Sequence, residues 1–129
     1  ITVSDGIVIE GDDPLMVMKV SRVVRAIGRG FSPDKAILLL NEDYELRVIS
    51  LQGETENTTK RLMARIIGRS GSTRKILEKR TNCLISVYGK TIAIIGRYEL
   101  IERAVSAVEQ LISGHSHAFV YSRLKRHPL

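Results

Sequence analysis

Gly68-Arg69-Ser70-Gly71 is the feature that most limits what this chain can fold into. It interrupts two helical stretches and sits inside the most basic part of the sequence. Thr55 to Ile67 before it carries apolar residues, Leu62 and Ile66 among them, at helical spacing, and Ser72 or Thr73 opens another helix that runs through Lys79 or Arg80. Around this pair the pattern is regular. Tyr44 to Leu51 alternates as a strand; Cys83 to Tyr88 and Thr91 to Ile95 read as two strands joined at Gly89-Lys90. Tyr98 to Ile112 is a long helix with Leu100, Ile101, Ala104, Val105, Val108, Leu111 and Ile112 on its buried side. The order from Tyr44 is strand, helix, glycine turn, helix, strand, strand, helix, and Ala118 to Lys125 is expected to add a last helix after Gly114.

The first third has its own elements. Ile1 to Val3 and Ile7 to Ile9 flank the turn signal Ser4-Asp5-Gly6 as a hairpin. Asp12 or Asp13 caps a helix with Pro14 in its first turn and Leu15, Val20, Val23, Val24 and Ile27 on its apolar face, stopped by Gly28-Arg29-Gly30. Ser32-Pro33-Asp34 caps a short helix bearing Ala36, Leu39 and Leu40. These elements repeat later ones. Ile7, Ile9, Gly11, Leu15, Val20, Val23 and Ile27 match Ile92, Ile94, Gly96, Leu100, Val105, Val108 and Ile112 at one offset, which points to a duplicated unit. The first copy starts at its second strand, so the expectation is a fragment whose first unit lacks its leading strand, two helices and the turn between them.

Charge narrows the function. Residues 1–43 are net −2 and residues 44–129 net +8, which together make the chain's +6. Lys60 to Arg80 holds eight basic side chains against Glu78 alone, an arrangement that repels itself unless it faces an anion. Two glycines without Cβ let the turn approach a sugar-phosphate backbone closely, and the amides opening the next helix favour negative charge. The candidate nucleic-acid contacts are therefore Arg65, Ile67, Gly68, Arg69, Ser70, Gly71, Arg74 and Lys75, with an apolar groove completed by Ile76 and by the strand at Leu84 to Val87, Ser86 included, which offers polar groups to base edges. With no Trp and two Phe, the stacking platforms of other single-strand binders are missing.

Other constellations read as ordinary structure. Gly28-Arg29-Gly30-Phe31 is a helix stop, and neither it nor Gly68 to Thr73 fits a dinucleotide or Walker loop. His115, His117 and His127 read as surface residues on a loop; Glu42-Asp43 and Asp12-Asp13 as turns and caps; Cys83 as packing. No catalytic set, metal site or cofactor is expected, and the chain reads as a non-enzyme. The longest apolar run, Ala36 to Leu40, falls far short of the roughly 20 residues of a membrane span. A single cysteine suits a reducing, cytoplasmic compartment.

The stretches Ala26-Ile27-Gly28-Arg29-Gly30-Phe31-Ser32, Ala64 to Arg74, Ile92-Ala93-Ile94-Ile95-Gly96, and Val120-Tyr121 with Leu124 resemble the archaeal KH proteins of small-ribosomal-subunit assembly, relatives of the eukaryotic Dim-two or Partner-of-Nob protein. The resemblance implies an α+β fold: a complete type I KH domain over residues 44–129, three antiparallel strands with three helices and a helical tail, preceded over residues 1–43 by the C-terminal part of a truncated first unit and a linking helix. It also implies single-stranded RNA as ligand, near the 3′ end of small-subunit rRNA, with the Nob endonuclease and the alpha subunit of initiation factor two as partners. The competing reading is a scaffold whose basic face binds acidic proteins, with RNA contact secondary.

Overall fold

Ile92-Ala93-Ile94-Ile95 presents no polar side chain to either side, so a strand made from it must be covered on both faces. In the computed structural model, which describes residues 2–4 and 6–124, it is. β1 (Thr2–Ser4) and β2 (Ile7–Ile9) pair antiparallel and lead into α1 (Pro14–Gly28), then α2 (Pro33–Ala36), which continues as a 3-10 turn over Ile37–Leu40. β3 (Tyr44–Ser50), α3 (Glu56–Ile67), α4 (Ser72–Thr81), β4 (Leu84–Tyr88), β5 (Thr91–Arg97), α5 (Tyr98–Ile112) and α6 (His117–Arg123) follow. β3, β5 and β4 form an antiparallel sheet with β5 in the middle, and Thr91 to Gly96 are all buried.

Alternation along β5 divides the core. Ile92 and Ile94, with Ile85 of β4, face Leu62, Ile66, Leu77, Ile101 and Val108 of the helices α3, α4 and α5. Ala93 and Ile95 point the other way, where Leu46 and Val48 of β3 and Leu84 of β4 meet Ala26, Phe31, Ala36 and Leu39. The second cover comes from the first third of the chain. Arg22 donates to the Tyr44 carbonyl, and Lys19 pairs with Glu42 at 3.2 Å, fastening α1 beside the start of β3.

Local signals explain the boundaries. Asp13 caps α1 by accepting the Leu15 amide at 3.0 Å, Thr55 caps α3 by accepting that of Thr58 at 3.2 Å, and Ser116 caps α6 by accepting that of Phe119 at 3.1 Å. Four expectations change. β5 runs on to Arg97 because Gly96 and Arg97 pair with Glu45 and Tyr44 of β3. On α1 the buried residues are Val17 and Ala26, while Leu15 and Ile27 lie 48% and 42% exposed; of this helix only Ala26 and Val23 pack into the core against the sheet. Leu40 is exposed and Leu38 packs in its place. His117 opens a helix instead of lying in a loop. Ile1 and Asp5 of the hairpin, Lys125 of the last helix and His127 lie outside the described residues.

Gly96 is packed closely against Cys83. A Cβ there would lie 2.4 Å from Cys83 Sγ and 3.2 Å from Cys83 Cβ. Burial pushes the Cys83 thiol up, so it packs as a neutral group. Gly96→Ala is expected to cost about 1–3 kcal/mol in denaturant unfolding through overpacking. Adding Cys83→Ala removes the sulfur and should recover part of that loss; a double variant no more stable than Gly96→Ala would show that the clash is not the cause.

Candidate nucleic-acid interface

The turn between α3 and α4 has a backbone that most residues could not adopt. Gly68 sits at φ 74°, ψ 173°, a region open essentially to glycine alone, Ser70 at φ 54°, ψ 29°, and Gly71 at φ 75°, ψ 13°. The two glycines do different things. A Cβ on Gly68 would fall 2.2 Å from Thr73 Oγ1 and 2.7 Å from the Thr73 backbone nitrogen, so this glycine is needed for α3 and α4 to meet at all. On Gly71 a Cβ would meet only the far end of Lys75, at 4.0 Å. That side of the turn is open for an approaching ligand. Gly71 is also the N-cap of α4 and offers no side-chain acceptor, which leaves the first amides of a ten-residue helix uncapped. Arg69, Ser70 and Lys75 are exposed around them.

Beside the turn runs a groove of about 330 Å³ along the free edge of β4. Its floor is Ile85, Ser86 and Val87; Ile67, 37% exposed, and Arg74 form the helical wall. The outward backbone of Ile85 is closed by α4: its amide donates to Glu78 Oε2 at 2.8 Å and its carbonyl accepts from Arg74 Nη1 at 3.3 Å. Alternation in an antiparallel ladder turns the Val87 amide and carbonyl outward in the same phase. They are a donor and acceptor pair suited to a base edge.

The structure thus gathers Ile67, Gly68, Arg69, Ser70, Gly71, Arg74 and Lys75 at one site and gives two sequence candidates other work. Arg65 Nε donates to the Leu111 carbonyl at 3.3 Å, and the same guanidinium donates to the His115 carbonyl, so it fastens the C-terminal end of α5. Ser86 lies in the groove, but its hydroxyl donates to the Arg29 carbonyl at 2.9 Å. Ile76 is half-buried and outside the groove lining. His117 is tied by Nε2 to the Arg65 carbonyl at 2.9 Å and His115 stacks on Phe119; among the described residues no three His, Cys, Asp or Glu side chains cluster as metal ligands.

Local reading missed the opposite wall, formed by Gly30, Phe31, Ser32 and Lys35. The helix does stop at Gly28, as expected, but the residues after it line the groove. The usable signal was the Gly30-Phe31-Ser32 element itself, an apolar aromatic between a turn glycine and a helix cap. Asymmetry between the two turn glycines is testable by denaturation. Gly68→Ala should cost about 3 kcal/mol or more, from overpacking and backbone strain together, and Gly71→Ala about 1 kcal/mol from left-handed strain alone. Equal losses would refute the division of roles.

The chain is similar to proteins of one fold family. The model for the second KH unit of Pno1, described as a eukaryotic type KH-domain (KH-domain type I), matches residues 45–128. A KH domain-containing protein of Methanocaldococcus jannaschii is 44% identical over 116 residues, which are 88% of this chain and 51% of that protein. The pre-rRNA-processing protein pno1 of Emericella nidulans is 34% identical over 111 residues, 80% of this chain and 42% of its own length. A chain in the crystal structure of the a/eIF2alpha–aDim2p–rRNA complex from Pyrococcus horikoshii superposes with a TM-score of 0.82 at 48% identity, over 91% of this chain and 65% of that one. The chain spans about half the length of the curated relatives it matches.

Proposed function

The chain belongs to the type I KH family that the Pno1 second-unit model describes, and from that membership we propose that it is an RNA-binding factor of small-subunit assembly, holding single-stranded rRNA near its 3′ end through Gly68–Gly71. The observation that carries the reading is the open side of Gly71: left-handed backbone, no side chain, and the uncapped amides of α4 behind it. A phosphate seated there meets N–H donors already in place, with Arg69 and Lys75 adding charge. Bases from the same strand lie along Ile67 and reach the Val87 edge. Loop contacts fix the strand and groove contacts choose its sequence.

Two of the similar proteins support the biological setting. One is named for pre-rRNA processing, and the structure of the other joins Dim2p to rRNA and to the alpha subunit of an initiation factor. On that basis the alpha subunit of initiation factor two and, from the family resemblance, the Nob endonuclease are the proposed protein partners, in the cytoplasm. The groove is lined by aliphatic, aromatic, hydroxyl and cationic side chains, the chemistry of grip, and the proposal is for a binding factor, not an enzyme. Residues 44–129 are read as one KH unit with its tail. Residues 1–43, a hairpin followed by a helix like β4, β5 and α5, are read as the closing part of a preceding unit with a linking helix.

Arg69→Asp with Ser70→Asp separates this reading from the scaffold alternative. Both positions are exposed and Asp tolerates the left-handed backbone, so the fold should persist. Binding of a short oligonucleotide from the 3′ end of small-subunit rRNA, followed by fluorescence anisotropy, should weaken at least roughly tenfold. For the unaltered chain, log affinity should fall linearly with log salt by about 0.7 for each phosphate neutralised. Undiminished affinity in the double variant, or a flat salt response, would favour the scaffold.

A further inference from the structure

The groove beside the glycine turn is closed on its far side by residues from outside the strand-helix-helix-strand-strand-helix unit, and that wall is held as firmly as the core. Phe31 is 5% exposed, and Ala36 and Leu39 are fully buried against Ala93 and Ile95. The Phe31 amide donates to the Ala26 carbonyl at 3.1 Å, and the Arg29 carbonyl accepts from Ser86 of the groove floor. Contact at Gly30 is so close that a Cβ there would lie 2.6 Å from Ser86 Oγ and 3.1 Å from Tyr88 Cβ. The wall therefore cannot be an accidental neighbour that swings aside; it is packed onto β4.

At the rim of this wall stands Lys35, exposed, with no ion pair among the described residues. Arg74 faces the groove from the helical side, but it already donates to the Ile85 carbonyl and lies 3.6 Å from Glu78. A strand gripped at Gly68–Gly71 with its bases on Ile67 and Val87 must pass its backbone along the rim. A lysine ammonium is a compact, strongly hydrated charge that gains most by staying in water beside a phosphate, not by entering an apolar floor. We propose that Lys35 is a second phosphate contact, on the wall opposite the glycine turn, so that the RNA groove is a composite of two parts of the chain and not the property of residues 44–129 alone.

This inference rests on the reading of Gly68–Gly71 as the primary RNA clamp, and the experiment separates the two. Lys35→Ala, Lys35→Arg and the Arg69→Asp, Ser70→Asp double variant are compared in the full chain, by anisotropy titration of the same rRNA 3′-end oligonucleotide and of an oligouridylate over a range of salt. Lys35 is exposed and makes no described side-chain bond, so its variants should fold; equal melting temperatures check this. Lys35→Ala should bind both RNAs roughly fivefold more weakly at about 0.1 M salt and lose about 0.7 from the log-log salt slope, with Lys35→Arg restoring both. Wild-type affinity and slope in Lys35→Ala, while the double variant loses binding, would overturn the second contact and leave the clamp intact. Wild-type binding by the double variant would overturn the clamp, and the second contact with it.

Discussion

Everything in this fold is arranged around a central strand that is apolar on both faces. β5 lies between β3 and β4, and its alternate residues enter two separate cores. Fully burying an isoleucine stabilises by about 1.5–3 kcal/mol relative to leaving it in water, so a face presenting Ile95 beside Leu46 and Val48 is costly uncovered. Helices α3, α4 and α5 cover one face. The end of α1, Phe31 and α2 cover the other. A groove exists along β4 because two layers overhang one sheet edge; with a single layer that edge would be a flat rim.

Sequence made the order of elements readable, and the α5 boundaries, Tyr98 and Ile112, are those of the periodic stripe. Its reach ended where partners are distant in the chain. The basic character of Arg65 suggests an anion, yet its guanidinium binds carbonyls at residues 111 and 115; nothing near Arg65 announces that an open helix end will stand there. Ser86 is in the same position, its hydroxyl committed to a carbonyl 57 residues away. Leu15 and Ile27 keep helical spacing but lie exposed, because periodicity names a face without naming what covers it. Gly30 and Phe31 read locally as a stop, which they are, and their role as a groove wall depends on the second core.

The basic cluster looks uniform in sequence and is not so in space. Arg65, Arg74 and Arg80 donate to the carbonyls of Leu111, His115, Ile85 and Tyr121. Carbonyl acceptors satisfy donor groups without cancelling a formal charge, so Arg65 and Arg80 hold elements together while keeping the surface positive, whereas Arg74 also lies 3.6 Å from Glu78. Lys60 does have a partner, Glu56 at 3.7 Å, but both are exposed and such a pair is screened. One set of residues therefore supplies both scaffold and field. Arg69 and Lys75 lie exposed beside Gly71, the positions that the proposed reading gives to direct ligand contact.

The turn itself shows why rigidity and access had to be assigned to different glycines. At Gly68 the backbone presses on Thr73, whose hydroxyl in turn accepts from Tyr121 of α6 at 3.3 Å, so the bend is braced from behind by the last helix. Ser70 holds a left-handed conformation that costs of order 1 kcal/mol in isolation. Such strain persists only where surrounding structure over-determines it, and here the bracing at Gly68 does so. Gly71, three residues on, is left bare. In the proposed reading, a phosphate arriving there would find its donors fixed beforehand, the ordering cost of the loop having been met during folding instead of being charged against binding.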